Sequence, residues 1–253
     1  MKTMTRLSIG LFTFAFMLAL ATATAAADIK VFCTNGVRAV VEELIPQFER
    51  TTGNKVIISF EPSTQIKKRI DAAEPFDLAV MTTTLIDEAI KAGKLSAESK
   101  TFIARSGLGL SIRSGSKKPD IATVEAFKKT LVGAKSITYA TQGASAAPFE
   151  ALVARLGIES QVKPKYQLRE TAAQVGTVVA GGLVELGVAP VSEILPVKGV
   201  DLVGPFPKDV QSYVELTAAV GVNAKEKEAA RKLVAFVVSP ANAPVIKAKG
   251  MER

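Results

Sequence analysis

From residue 28 onward, short apolar runs alternate with segments whose apolar residues recur at helical spacing. Residues 28–33 read as a strand. Val37, Val40, Val41, Leu44, Ile45 and Phe48 then follow at i, i+3, i+4, i+7, i+8 and i+11, one face of a helix that Gly53 stops. Residues 55–60 predict a second strand, and Ile66, Ile70 and Ala73 a helix behind Ser63. Residues 76–81 predict a third strand, with Ile86, Ala89 and Ile90 on the helix after it. Strands and helices alternating in this way predict a parallel sheet with right-handed crossovers.

The scheme then repeats. Residues 108–112, 136–140 and 186–189 read as strands. Val124, Phe127 and Leu131 mark one helix, and Phe149, Leu152, Val153 and Leu156 another that ends at Gly157. A helix over 172–180 is stopped by Gly181-Gly182. Near the end, 214–222 is strand-like, and Ala230, Leu233, Val234 and Val237 give a helix closed by Ser239-Pro240. Two consecutive α/β sets predict two lobes, one of residues 28–108 with 216–253 returning to it, the other of 109–215. Each lobe is expected to be a mostly parallel sheet flanked by helices, with a cleft between them.

Residues 1–27 stand apart from this pattern. Lys2 and Arg6 precede an uncharged apolar run over 7–20, and small residues fill 21–27. A bilayer span needs about 20 apolar residues, so the segment reads as a signal peptide cleaved after Ala25 or Ala27. The expected product is exported, and the expected compartment is the periplasm.

Composition narrows the chemistry. The chain of 253 residues carries a formal charge of +8, has no His and one Cys. Without His there is no Ser-His-Asp triad and no His metal ligand, and one Cys builds neither a disulfide framework nor a metal cluster. No phosphate-binding loop or dinucleotide fingerprint is present, so no cofactor and no metal are expected. The positive charge is scattered and not interleaved with aromatics, which argues against nucleic acid as a partner. Cys33, at a strand end, reads as a buried small hydrophobe. Lys67-Lys68-Arg69 reads as the solvated face of a helix. Arg38, in a first helical turn, is poorly placed for a cation unless it meets an anion.

Candidate chemistry lies in the turns. In an open parallel sheet, ligands bind beyond the carboxyl ends of the strands, where turns lead into helix N-termini. Those carry unpaired N–H groups and the positive end of the helix dipole, and they suit anions. The turns here are Thr34-Asn35-Gly36, Glu61-Pro62-Ser63-Thr64, Thr82-Thr83-Thr84, Thr141-Gln142-Gly143-Ala144-Ser145 and Pro190-Val191-Ser192. Each alone reads more readily as a helix cap than as a site. Together, at one sheet edge, they point to a cleft.

The segments 31–37, 59–64 and 76–80 (Val-Phe-Cys-Thr-Asn-Gly-Val, Ser-Phe-Glu-Pro-Ser-Thr and Phe-Asp-Leu-Ala-Val) resemble the N-terminal half of the periplasmic molybdate-binding protein family. The resemblance continues through Glu185-Leu186-Gly187-Val188, Ser192-Glu193-Ile194-Leu195 and 203–207, and ends in 235–240 and 249–252, covering nearly all of the chain after residue 27. It implies the type II two-lobed fold of ABC importer solute-binding proteins, a permease partner, a monomer, and a protein that captures a ligand without chemistry. The family holds its oxyanion with backbone N–H groups and Ser or Tyr hydroxyls. The implied site is Asn35, Gly36, Ser63 and Thr64 on one lobe, with Ala144, Ser145 and Ser192 on the other. Ser63 and Ser145 would give hydroxyl and backbone hydrogen bonds, and Gly36 and Ala144 backbone N–H alone. The family's first serine falls on Gly36 and its tyrosine on Pro190, so the implied ligand is a small anion, either a molybdate-like oxyanion or a small organic acid. Two other classes fit the chain less well. One is a two-lobed sensor for a membrane partner. The other is an exported hydrolase using Ser or Cys33, which lacks the usual His base.

Overall fold

The computed structural model describes residues 26–253, so the signal-peptide expectation falls almost wholly outside the described residues. The strands are β1 (Asp28–Thr34), β2 (Lys55–Glu61), β3 (Leu78–Thr82), β4 (Thr101–Arg113), β5 (Ile137–Tyr139), β6 (Leu186–Pro190), β7 (Val200–Pro205) and β8 (Tyr213–Val220). The helices are α1 (Arg38–Thr52), α2 (Ser63–Asp71), α3 (Thr83–Lys91), α4 (Val124–Gly133), α5 (Ala146–Arg155) and α6 (Glu159–Val162), followed by α7 (Ala172–Ala180), α8 (Val191–Ile194), α9 (Lys227–Val237) and α10 (Ala243–Ala248).

Helix ends follow from local chemistry. Gly53 takes φ +74° and donates its N–H to the Glu49 carbonyl at 2.9 Å, ending α1 in the left-handed conformation that glycine adopts most easily. The second helix ends on an alanine. Ala73 was expected on the helical face, yet α2 stops at Asp71 and Ala73 has φ +59°. Its N–H donates to the Ile70 carbonyl at 3.0 Å, and the Glu74 N–H donates to the Arg69 carbonyl at 3.1 Å. This is the paired Schellman bonding of a helix C-terminus, imposed just before Pro75, which disfavours helix in its predecessor.

The strands form one connected sheet in the order β2-β1-β3-β8-β4-β6-β5, with β7 also paired to β4. The parallel expectation holds for β1 with β2, β1 with β3, and β5 with β6. It does not hold for β4, β7 and β8, whose pairings are antiparallel. The segment 108–112, expected as a fresh strand, is the second half of β4. Residues 101–107 of β4 pair with β8, and 108–113 pair with β6 and β7. Gly109 permits this crowding, because a Cβ there would lie 3.1 Å from the Gly204 carbonyl oxygen, Leu202 and Val191. No helix among the described residues is long and apolar enough to cross a membrane.

Alternation along β1 sorts its side chains between two apolar clusters, as the two-residue period of a strand requires. Val31 and Cys33 face the cluster built with α1 and α9, whereas Phe32 faces Ile66, Ile70 and Ile86 beneath α2 and α3. Each fully buried side chain of this size contributes about 1.5–3 kcal/mol. Cys33 is fully buried and packs among these residues as the sequence suggested, and burial pushes its thiol up.

Two polar anchors hold the first βαβ set in place. Buried Asp77 accepts from the Lys30 N–H at 2.8 Å, the Lys225 N–H at 2.8 Å and the Glu226 N–H at 3.0 Å. It thereby ties β1 to the start of α9. Arg69 corrects the reading of 67–69 as a solvated face. Its guanidinium lies 3.8 Å from the centre of the Phe32 ring, donates to Ser59 Oγ at 2.8 Å, and pairs with Glu61 and Glu74. Lys68 is exposed as expected, whereas Lys67 is partly buried and pairs with Asp71 one turn on.

Candidate functional site

The carboxyl ends of β1, β2 and β3 lead directly into helices. After β1 a short 3-10 turn (Asn35–Val37) enters α1, and no side chain caps that turn or the start of α1. Neither α2 nor α3 has a side-chain cap either. First-turn amides of a helix have no intrahelical acceptor. The Arg38 N–H donates to the Asn35 carbonyl, so the donors to spare are those of the 3-10 turn ahead of α1 and the first amides of α2 and α3. Opposite them stands α7, whose N-terminus is closed by a capping box between Thr171 and Gln174.

A cavity of about 100 Å³ lies between these elements. Thr34, Asn35, Gly36, Ser63, Thr64 and Thr82 wall one side, and Gln142, Gly143, Ala144, Thr171 and Ala172 wall the other, with Glu193 and Leu216 completing it. Gln65 Nε2 donates to Gln142 Oε1 at 3.0 Å, joining α2 to the loop after β5 beside the cavity. A second cavity of about 250 Å³ shares Asn35, Thr171, Ala172 and Glu193 with the first, and adds Arg38, Glu42 and Ser192.

Of the seven residues implied by the sequence, Asn35, Gly36, Ser63, Thr64 and Ala144 line the smaller cavity and Ser192 lines the larger. Ser145 lines neither, being buried where α5 begins. Ser63 is buried, and its Oγ accepts from the Thr82 N–H at 3.2 Å, which leaves its own proton to donate. Ser192 donates its N–H to Ser106 Oγ at 3.1 Å, while its own buried Oγ has no partner. Arg38, considered as an anion partner, donates Nε to Glu42 Oε1 at 2.8 Å and lies 4.8 Å from the Phe60 ring centre.

The sequence reading left out Glu193, Leu216 and Thr171. Burial pushes the Glu193 carboxyl up to about 7. Leu216 explains the glycine at 36, since a Cβ there would sit 2.8 Å from Leu216 Cδ1 and 3.6 Å from Glu193 Oε1. Thr171 carried a signal in Thr-x-x-Gln at 171–174, a capping-box spacing ahead of an apolar run. A wider groove of about 920 Å³ runs along the middle and C-terminal end of α4, with Arg113, Lys117, Lys129 and Lys135 on its walls beside Asp120 and Glu185. Its walls gather Lys and Arg side chains rather than helix N-termini. The helix N-termini, which suit anions, gather instead at the small cleft.

The fold is a mixed α/β architecture shared with solved two-lobed periplasmic binding proteins. The model of the bacterial extracellular solute-binding protein family matches residues 29–252, and the chain belongs to that family, on its molybdate-binding-like side. The molybdate-binding protein ModA of Azotobacter vinelandii is 30% identical over 234 residues, covering 89% of this chain and 90% of that protein. A Pseudomonas protein named aconitate isomerase is 29% identical over 229 residues, covering 88% and 87%. In fold, the solved A. vinelandii periplasmic molybdate-binding protein matches with a TM-score of 0.75 at 19% identity, over 89% of this chain and 99% of that one. The sulfate-binding protein SubI of Mycobacterium tuberculosis H37Rv matches with a TM-score of 0.72 at 18% identity, over 89% and 86%.

Proposed function

We propose that this protein captures a small di- or tricarboxylate in the cleft of Asn35, Gly36, Ser63, Thr64 and Ala144, and delivers it to an ABC permease. One observation carries the choice of ligand. The cleft wall contains a carboxyl group, Glu193, next to uncapped helix amides. The oxyanion site implied by the resemblance has hydroxyl and backbone N–H donors and no carboxyl, whereas a protonated carboxyl gives a short, charge-assisted hydrogen bond to a ligand carboxylate. The missing hydroxyls at Gly36 and Pro190 weigh the same way. Asn35, Ser63 and Thr64 would hold one ligand carboxylate, and Ala144, Ser192 and Glu193 another.

The lobes of this reading are residues 28–108 with 216–253 and residues 109–215, joined where β4 runs from one strand set into the other and the chain returns into β8. Ligand closes them, and Gln65 with Gln142 forms the latch. The mature chain would begin after Ala25 or Ala27, act as a monomer in the periplasm, and need no cofactor. The experiment is titration calorimetry of the purified protein with molybdate, sulfate, citrate, tricarballylate and trans-aconitate. Saturable binding of the carboxylates, at least tenfold tighter than either oxyanion, supports the reading. Preference for molybdate reverses it.

A second reading adds turnover. It is favoured by Glu193, a cleft carboxyl that changes protonation near neutral pH, as a proton-transfer group should, and by the relative named aconitate isomerase. In this reading the captured tricarboxylate is isomerised in the cleft.

A further inference from the structure

The two joined cavities hold few groups able to move a proton. Their titratable wall residues are Glu193 on α8, and Arg38 and Glu42 on α1. Arg38 and Glu42 bond to each other and are half exposed. The other elements packed on α8 (β4, β6, β7 and the 3-10 turn at Asn35–Val37) place no ionisable side chain in either cavity wall. Glu193 is partly buried and belongs to both walls. Gly36 keeps the approach to its carboxyl open, because any side chain at 36 would start 3.6 Å from Oε1. Beside it, the unpartnered and buried Ser192 Oγ is a polar atom without a protein ligand.

We propose that Glu193 is the acid–base group of a one-base allylic proton shift in an unsaturated tricarboxylate seated between α1, α2 and α7, a step that rests on the turnover reading above. The Glu193 carboxylate takes a proton from the methylene carbon next to the carbon–carbon double bond. The C–H electron pair enters the allyl system and spreads onto the conjugated carboxylate at its far end. The carboxyl then returns a proton to the former vinyl carbon, and the double bond now joins the central carbon to the former methylene carbon. The conformation about the old single bond fixes the geometry of the new double bond. No atom is gained or lost, and no oxidant or cofactor enters. Charge building on the ligand carboxylates is met by the uncapped amides of the 3-10 turn at Asn35–Val37 and of α2, placed before the reaction begins. A bound polyanion also makes the Glu193 carboxylate a stronger base, since like charge favours its protonated form.

The test follows trans-aconitate in D2O by proton NMR with the purified protein. The expected result is deuterium entering the methylene position together with formation of the cis isomer, with a kcat/KM that rises with pH through about 7. Glu193→Gln should lower both exchange and isomerisation by about 100-fold or more, with trans-aconitate affinity by calorimetry changed less than about tenfold. Glu193→Asp should keep part of the activity with a displaced pH midpoint. Wild-type turnover that survives Glu193→Gln overturns the assignment and leaves the turnover reading standing. Binding without exchange in the wild type overturns both. Parallel loss of binding and turnover in Glu193→Gln, with no rescue by Asp, also overturns it by making the role structural.

Discussion

Gln65 on α2 and Gln142 in the loop after β5 meet by a 3.0 Å hydrogen bond, Nε2 to Oε1, although 77 positions separate them in the chain. It joins the two walls of the cleft beside Ser63 and Ala144. If capture depends on drawing those walls together, Gln65→Ala should weaken carboxylate binding by about three- to tenfold, the worth of one net hydrogen bond. Calorimetry with tricarballylate measures this. An unchanged affinity would show that the bond is incidental to closure.

Glu193 makes stability depend on pH. Its folded value of about 7 lies above the ordinary 4.5, so the folded chain keeps this proton after the unfolded chain has released it. The contribution of Glu193 is therefore most favourable below about 4.5, declines between there and 7, and stays low above, by on the order of 3 kcal/mol at most. Glu193→Gln removes this dependence. Its melting temperature should match wild type near pH 4.5 and exceed it at pH 8. The converse pattern would place the carboxylate form in a favourable setting.

Ligand affinity should share that window. Below about 7 the carboxyl donates to a bound carboxylate, and above 7 it repels it. Wild-type affinity for tricarballylate, a saturated analogue that cannot isomerise, should fall between pH 6 and 8.5, with proton uptake on binding visible as a buffer-dependent heat. Glu193→Gln should flatten both trends.

Gly36 and Leu216 are complementary. Gly36→Ser restores the hydroxyl that the resemblance calls for but brings its Cβ to 2.8 Å from Leu216 Cδ1. It should cost about 1–3 kcal/mol by urea unfolding. Leu216→Ala in the same chain should relieve part of that cost, so the two changes would be non-additive. Strict additivity would mean that the contact does not limit position 36.

Asp77 anchors three backbone N–H groups from two distant segments. Asp77→Ala leaves those donors unsatisfied and should destabilise the fold by roughly 3 kcal/mol or more. A loss under about 0.5 kcal/mol in denaturant unfolding would contradict the role given to it.

Much of this was legible along the chain. The helical faces of α1 and α9 and the extent of α7 follow from spacing alone, because the apolar stripe that packs the core is also what the sequence displays. The polar turns at 35–36, 63–64 and 144 converge as strand–helix junctions of one sheet edge must. What stayed hidden was long-range. Nothing local distinguishes β4 as one strand serving two sets of partners, since its split lies in what pairs with it and not in its own residues. Ala73 closes α2 in a conformation that a helical stripe does not announce. Glu193 looks like an ordinary surface glutamate of a short helix until β1 brings Gly36 against it. Ser145 sits one residue past the wall, a distance that turn composition does not resolve.

The most direct test of the proposed site is a crystal structure of the protein grown with tricarballylate. Ligand carboxylates bound at the amides of Gly36 and Ser63 and beside Glu193, with Gln65 still on Gln142, is the predicted result. Density for the ligand in the wide groove of Arg113, Lys129 and Lys135 instead, with the cleft filled by water, would contradict it.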